Sequence, residues 1–369
     1  MNIALVVDDF HGGAGNIAQI LAEELSHSHH VSLVMTNLHS KQRYDLTEVD
    51  IYDENLSISG KNKIFGLISS IQRLKKLIRK KIKADLVISF LDNNNSLAGL
   101  ALWNSKIPLV VSERSNPLVI FPKAPWDKIR RIAYRRADVV SVLFQAFDQF
   151  DGARFASKAI VTSNIVQTPP TLKASWDASP VRFVTFGRLS DVKRMDLMIE
   201  LFDQAQREEP NIELHIFGDG ANQAKLLTLI KEKNLSDKVF LRGYCNEVHK
   251  TLLDYDIYLM TSYQEGFPNS LCEAMAVGLP SIAIACHEGI SELCENGLSG
   301  VSVKEEEPCE FVKNMVLLAR DPALREQLGR RAQTISRRYD KAMILQQWQT
   351  CMDTAVQRRN PKLNQKNSK

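Results

Sequence analysis

Residues 167–187 read QTPPTLKASWDASPVRFVTFG, and this stretch decides how the rest of the chain divides. Up to Pro180 it is rich in Pro, Ser and Ala and has no apolar periodicity, as expected of a connection between domains. At Val181 a β-branched and aromatic run begins, and it ends on Gly187, the pattern of a buried strand entering a turn. Upstream, the short runs NIALVV, HHVSLVMT, ADLVISFL, IPLVVSE, ADVVSVL and KAIVTSN alternate with helical patterns. Downstream the alternation restarts with VRFVTFG, IELHIFG, KVFLRGY, DIYLMTS, PSIAIA and GVSV. Strands alternating with helices mean parallel sheets with crossover helices, so the expected class is α/β with two doubly wound domains. The boundaries follow as a first domain over 1–168, a linker over 169–180 and a second domain over 181–340. A helix over 341–358 is long enough to pack across both domains, and 359–369 read as a disordered basic tail.

In doubly wound sheets ligands bind beyond the carboxyl ends of the strands. The segments in those positions are HGGAGN, DNNN, SERSNP, GRLSDVKR, GDG, CNE, QEGFPNS and CHEG. They carry the polar residues and glycines, which makes a cleft between the domains the expected site.

Composition sets limits. The 369 residues are 44% apolar, enough for two cores, and no apolar run approaches the ~18 residues of a membrane span. Residues 1–7 lack the features of a secretory signal, so a cytoplasmic chain is expected. All six cysteines lie in the second half without C-x-x-C or paired Cys/His spacing, which predicts reduced thiols and no metal site. A net charge of +4 is mild and calls for no nucleic-acid partner. It is unevenly spread, however: Leu56 to Ala84 hold nine Lys or Arg and no acid. There Ile64, Leu67, Ile68, Ile71, Leu74, Ile78 and Ile82 recur at helical spacing beside Lys75, Lys76, Arg79 and Lys80. The pattern predicts a basic amphipathic helix, suited either to a solvated face over a core stripe or to an anionic membrane surface or ligand.

Gly13–Ala18, GAGNIA, match the dinucleotide fingerprint G-x-G-x-x-A. Four residues, Asp8 to His11, separate the apolar run from the glycines, and the second strand closes on Thr36 and Asn37 where an acid would hold a ribose. A strand, glycine turn and helix are expected without dinucleotide specificity.

The strongest signal is QEGFPNSLCEAMAVGLP, Gln264 to Pro280. Glu265 falls in the loop after a strand, and a helix starting near Asn269 or Ser270 puts Glu273 in its first turns. Backbone N–H groups of Asn269, Ser270 and Leu271 are then free to take phosphate charge, while a carboxylate accepts from vicinal hydroxyls. GRLSDVKR supplies Arg188 and Lys193 in the loop after another strand, within reach of one diphosphate. The combination suits a sugar diphosphate. Asp254 and Asp256 form D-x-D but precede their strand, at the edge away from the expected cleft, so turn or capping roles are expected of them.

FGRLSDVK, IFGDG and EGFPNSLCEAMAVGLP together resemble the retaining, nucleotide-sugar-dependent glycosyltransferases of family 4, most specifically over Arg182–Ile290 and more loosely over the first domain. The resemblance implies the GT-B fold, two Rossmann-like domains facing across a cleft, and metal-independent transfer of a hexose or N-acetylhexosamine. A nucleotide sugar, with UDP-sugar favoured, is co-substrate and no other cofactor is implied. Carried over, Arg188 and Lys193 hold the donor diphosphate and Glu265 the donor hexose, as the catalytic set. Glu273 holds the ribose, while Gly218 to Gly220 and Arg242 to Cys245, Tyr244 included, lie near the base. Gly187, Gly266 and Phe267 complete the donor loops with Asn269, Ser270 and Leu271. Gly12 and Gly13 fit the family's glycine turn near acceptor or phosphate. Glu113 and Arg114 stand on the acceptor side, where many relatives carry a His. The SFL and SER-N-P patterns resemble the branch that builds bacterial surface polysaccharides and glycans on polyprenyl diphosphate. That branch implies a lipid-linked saccharide acceptor and a peripheral place at the inner face of the membrane, with Lys75, Lys76, Arg79 and Lys80 meeting head groups or the carrier diphosphate. A GT-B nucleotide-sugar 2-epimerase and a non-catalytic sugar-nucleotide scaffold are the rival readings.

Overall fold

Runs such as Ile3–Val7 and Leu109–Val111 are apolar throughout because both faces of the strand are covered, the condition of a parallel sheet flanked by helices. A computed structural model describes all residues except 9–11, 38–45, 47, 55, 57–62, 117–125, 150–153 and 362–369. The chain forms two units, Met1–Asn164 with Ala342–Lys369, and Ile165–Lys341.

The first unit carries strands β1 (Asn2–Val7), β2 (His30–Met35), β3 (Val49–Asp53), β4 (Leu86–Phe90), β5 (Leu109–Ser112), β6 (Val139–Val142) and β7 (Ala159–Val161). They pair in the order β3-β2-β1-β4-β5-β6-β7, with Ile3 opposite Val31 on one side and Leu86 on the other. Helices α1 (Gly12–Ser26), α2 (Lys63–Lys76), α3 (Asp92–Ala101) and α4 (Trp126–Arg136) follow β1, β3, β4 and β5. In the second unit β8 (Val181–Phe186), β9 (Ile212–Phe217), β10 (Val239–Gly243), β11 (Ile257–Met260), β12 (Ser281–Ile284) and β13 (Val301–Val303) pair as β10-β9-β8-β11-β12-β13. Its helices include α5 (Met195–Glu208), α6 (Gln223–Glu232), α7 (Val248–Leu252) and α8 (Asn269–Val277). Phe183, Phe202 and Phe311 sit at the centre of its core. Each order reverses beside its first strand, at β1/β4 and at β8/β11, and such switch points are where doubly wound sheets hold ligands.

Three segments differ from the sequence expectation. Residues 169–180 are bound to the second unit: the Lys173 N–H donates to Val277 O at 2.9 Å, and the buried Trp176 indole to Gly278 O at 2.9 Å. A Pro-rich composition signalled irregular backbone, but Trp176 and Lys173 supply anchors. The C-terminal helix, Lys341–Arg359, packs into the first unit from Ala342 onward. Its buried Ile344, Trp348, Cys351, Met352 and Ala355 recur at helical spacing, and Trp348 lies 5.7 Å from the Phe90 ring. Arg358 donates to Asp138 O at 2.9 Å and Arg359 pairs with Asp138 at 2.9 Å, so 359 belongs to the helix; 362–369 lie outside the described residues. The basic helix continues past Lys76 as a π-helix over Leu77–Ile82. The wider turn buries Leu77, Ile78 and Ile82 and leaves Lys75, Lys76, Arg79 and Lys80 exposed. At its other end Phe65 is 74% exposed and Ile68 46%. Of the apolar stripe read from sequence, Leu74, Ile78 and Ile82 are core, Leu67 and Ile71 are half-buried and Ile68 is exposed.

Candidate active site

In the second unit the site is built at the carboxyl ends of β8, β9 and β11. The loop after β8 is clasped by the GDG turn after β9. Leu189 N–H donates to Asp219 O at 2.9 Å, and Gly187 N–H to Phe217 O at 3.0 Å. The approach is so close that a Cβ at Gly218, which has φ +133°, would lie 1.9 Å from Gly187 O. At Gly220 it would lie 2.3 Å from Leu189 O. The resemblance placed these glycines near a nucleotide base; what they do in the fold is let one loop seat the other. Thr261, after β11, donates through Oγ1 to the carbonyls of Lys193 (3.1 Å) and Arg194 (3.0 Å).

This seating brings two expected residues together. Lys193 Nζ donates to Glu265 Oε1 at 2.6 Å, in a pair whose side chains are 23% and 10% exposed. Arg188 is exposed in the same loop. Helix α8 begins at Asn269, and burial pushes the Glu273 carboxyl, in its second turn, up to about 7. The Ser270 hydroxyl accepts from Tyr258 at 2.7 Å. Sequence reasoning passed over that tyrosine because it reads as an ordinary strand aromatic.

Several donor-side expectations are corrected by packing. The Asn269 N–H is occupied by Phe267 O at 2.9 Å, which leaves Ser270 and Leu271 as the first-turn N–H groups. Phe267 is buried with its ring 5.5 Å from Tyr339, and the Leu271 side chain is wholly buried, so each can offer a ligand only backbone. Gly266 is half-buried beside Glu265. Tyr244 is 73% exposed after β10. Arg242, also exposed, donates to His215 Nδ1 at 3.0 Å, while His215 Nε2 lies 3.1 Å from Glu213. An imidazole accepting at one nitrogen and donating at the other is neutral, consistent with burial lowering its pKa. Cys286, after β12, borders Glu265, and burial pushes its thiol up to about 12. Asp256 accepts from Arg182 N–H at 2.9 Å and pairs with Lys173 at 3.2 Å, which accounts for half of the D-x-D as structure.

In the first unit, Gly12 and Gly13 are the first residues of α1 rather than a free turn. Near them is a polar group that sequence reasoning left unassembled, although DNNN marked one part of it. Asp8 Oδ1 accepts from Thr36 Oγ1 at 2.8 Å and Asn94 Nδ2 at 2.9 Å, joining the ends of β1, β2 and β4. Glu113 and Arg114 are corrected from acceptor contacts to internal ones. Both are buried, at 1% and 8% exposure. Glu113 accepts from the Tyr134 hydroxyl, and burial raises its pKa. Arg114 donates to Ser112 Oγ, Thr162 O and Thr162 Oγ1 at 2.7 Å each and lies 5.0 Å from the Trp348 ring. A fully buried guanidinium persists only with such partners, and they occupy the fork an acceptor would need.

Comparison with known proteins agrees with this architecture. Residues 173–335 match the family model described as glycosyl transferases group 1. The chain is 27% identical over 353 residues to N-acetylgalactosamine-N,N'-diacetylbacillosaminyl-diphospho-undecaprenol 4-alpha-N-acetylgalactosaminyltransferase of Campylobacter jejuni, covering 90% of this chain and 94% of that protein. It is 25% identical over 334 residues to an uncharacterized glycosyltransferase of Haemophilus influenzae, covering 86% and 94%. Among solved structures, the lipopolysaccharide outer core galactosyltransferase WaaB superposes with TM-score 0.77 at 17% identity, over 96% of this chain and 99% of that one. Anabaena HepE in complex with UDP superposes with TM-score 0.77 at 19% identity, over 96% and 100%. Both are GT-B proteins, and the two doubly wound sheets described above are that fold. Over residues 173–335 the chain is similar to the glycosyl transferases group 1 family.

Proposed function

We propose that this chain is a retaining, metal-independent family 4 glycosyltransferase. It moves a hexose or N-acetylhexosamine from a nucleotide sugar, a UDP-sugar in first preference, to a saccharide on a polyprenyl-diphosphate carrier in bacterial glycan assembly. The observation that carries the reading is the Lys193–Glu265 pair at the β8/β11 switch point, with Glu273 in the second turn of the helix that follows. Lys193, with the exposed Arg188 beside it, faces a diphosphate as point charge and planar fork, and the Ser270 and Leu271 N–H groups add to the positive end of α8. These fixed charges stabilise the diphosphate as it departs. Glu265 accepts from hexose hydroxyls and Glu273 from those of the ribose. The Campylobacter relative's diphospho-undecaprenol acceptor and HepE's UDP support the substrate classes. Among the described residues no helix is long and apolar enough to cross a membrane. Contact with a lipid-borne acceptor then falls to a surface, and α2 with its basic continuation supplies one at an anionic inner membrane face.

Lys193→Ala and Glu265→Ala should each lower transfer from the preferred nucleotide sugar by ~10²-fold to 10³-fold, the usual cost of losing one charge-stabilising contact. Melting temperatures should stay within a few degrees of the parent. Full turnover with alanine at either position would sink the reading.

A further inference from the structure

Lys193 and Glu265 are fixed from both ends. The Lys193 carbonyl is held by Thr261, at the end of the strand whose following loop carries Glu265, and the two side chains meet at 2.6 Å in a largely shielded position. Resting on the donor-site reading above, we propose that Glu265 competes with a diphosphate for Lys193 and so sets how readily spent nucleoside diphosphate leaves.

The competition is electrostatic. An ammonium has three donors, so it can touch a carboxylate and a phosphate together, but the two anions then sit within one cation's reach. Like charges that close repel more strongly where water is partly excluded, and Glu265 is only 10% exposed. A donor that still carries its hexose offsets this repulsion, because its hydroxyls donate to the carboxylate. A nucleoside diphosphate without the hexose has nothing to offer Glu265. The same carboxylate therefore favours intact donor over product, and removing its charge frees a shielded ammonium that is best neutralised by the diphosphate.

Calorimetric titration of UDP, and separately of inorganic pyrophosphate, into the full chain tests this. Glu265→Gln keeps the shape and removes the charge, and should bind UDP about tenfold tighter than the parent. Glu265→Asp keeps the charge and should bind it like the parent. Lys193→Ala should bind it about tenfold more weakly. If Lys193→Ala weakens UDP while Glu265→Gln binds no tighter than the parent, the competition is refuted and the donor site stands. Equal tightening by Glu265→Asp refutes it too, since charge is then not the cause. If Lys193→Ala leaves both probes unchanged, the diphosphate does not sit on this lysine, and the donor-site reading falls with the inference.

Discussion

Glu273 is the side chain through which pH should be felt most directly. Burial raises its carboxyl to about 7 from an ordinary 4.5, so the folded chain prefers it protonated. An acid raised on folding contributes its stability below the unfolded value and loses it as pH climbs through the folded one. The penalty therefore builds as pH rises from about 4.5 and is complete above about 7, at up to ~3 kcal/mol for a shift of this size. Glu273→Gln, which cannot ionise, should melt close to the parent at pH 5 and several degrees above it at pH 8.5. Parallel melting curves for parent and variant across that range would show that the carboxyl is not strained. The same residue argues for a function, because an acid kept partly desolvated near a helix start has no evident structural gain. A diol that donates to the carboxylate would lower its pKa and supply that gain on binding.

At the scale of elements, the basic helix shows how far periodicity carries. Spacing alone predicts one amphipathic stripe, yet the π-turn at Leu77–Ile82 re-aims its second half into the core while Phe65 and Ile68 stay outside. An exposed phenylalanine near the start of a helix that ends in a row of exposed basic residues suits a lipid interface, each basic residue adding ~1 kcal/mol near an anionic surface. Replacing Lys75, Lys76, Arg79 and Lys80 together by Glu should abolish salt-sensitive sedimentation with phosphatidylglycerol vesicles. It should also raise KM for a lipid-linked acceptor more than for a short soluble analogue. Sedimentation equal to the parent would return this face to plain solvation. The strands were legible because parallel sheets need uninterrupted apolar runs, and the loops that follow them because polar residues and glycines collect there. Glu265 and Lys193 could be placed by that logic. What sequence could not supply is pairing at long range. Arg114 reads as a site residue until Thr162 and Trp348 are seen to enclose it, and Asp8, Thr36 and Asn94 meet only when three strands are laid side by side.

At the scale of the whole molecule, the chain is not two beads in order. The first unit is discontinuous, completed by Ala342 onward, whereas the second is a single stretch, Ile165–Lys341. Ending the chain at Asp340 would strip Trp348 from Phe90 and Arg114 and both arginines from Asp138, opening a large apolar cavity beside a buried guanidinium. Scanning calorimetry of that truncation should show the first unit's transition lost and the second's retained. Two transitions at their parental temperatures would contradict this dependence. The discontinuity also imposes an order of assembly at the ribosome. Phe90 and Arg114 emerge early, but the helix that covers them is made only after all of Ile165–Lys341, a wait of roughly 10 to 35 s at ordinary elongation rates. During that interval the nascent first unit presents an open apolar seam, while the second can fold to completion as soon as it clears the exit tunnel. The enzyme should therefore mature in reverse, its later unit first, and depend on chaperones that shield its earlier one.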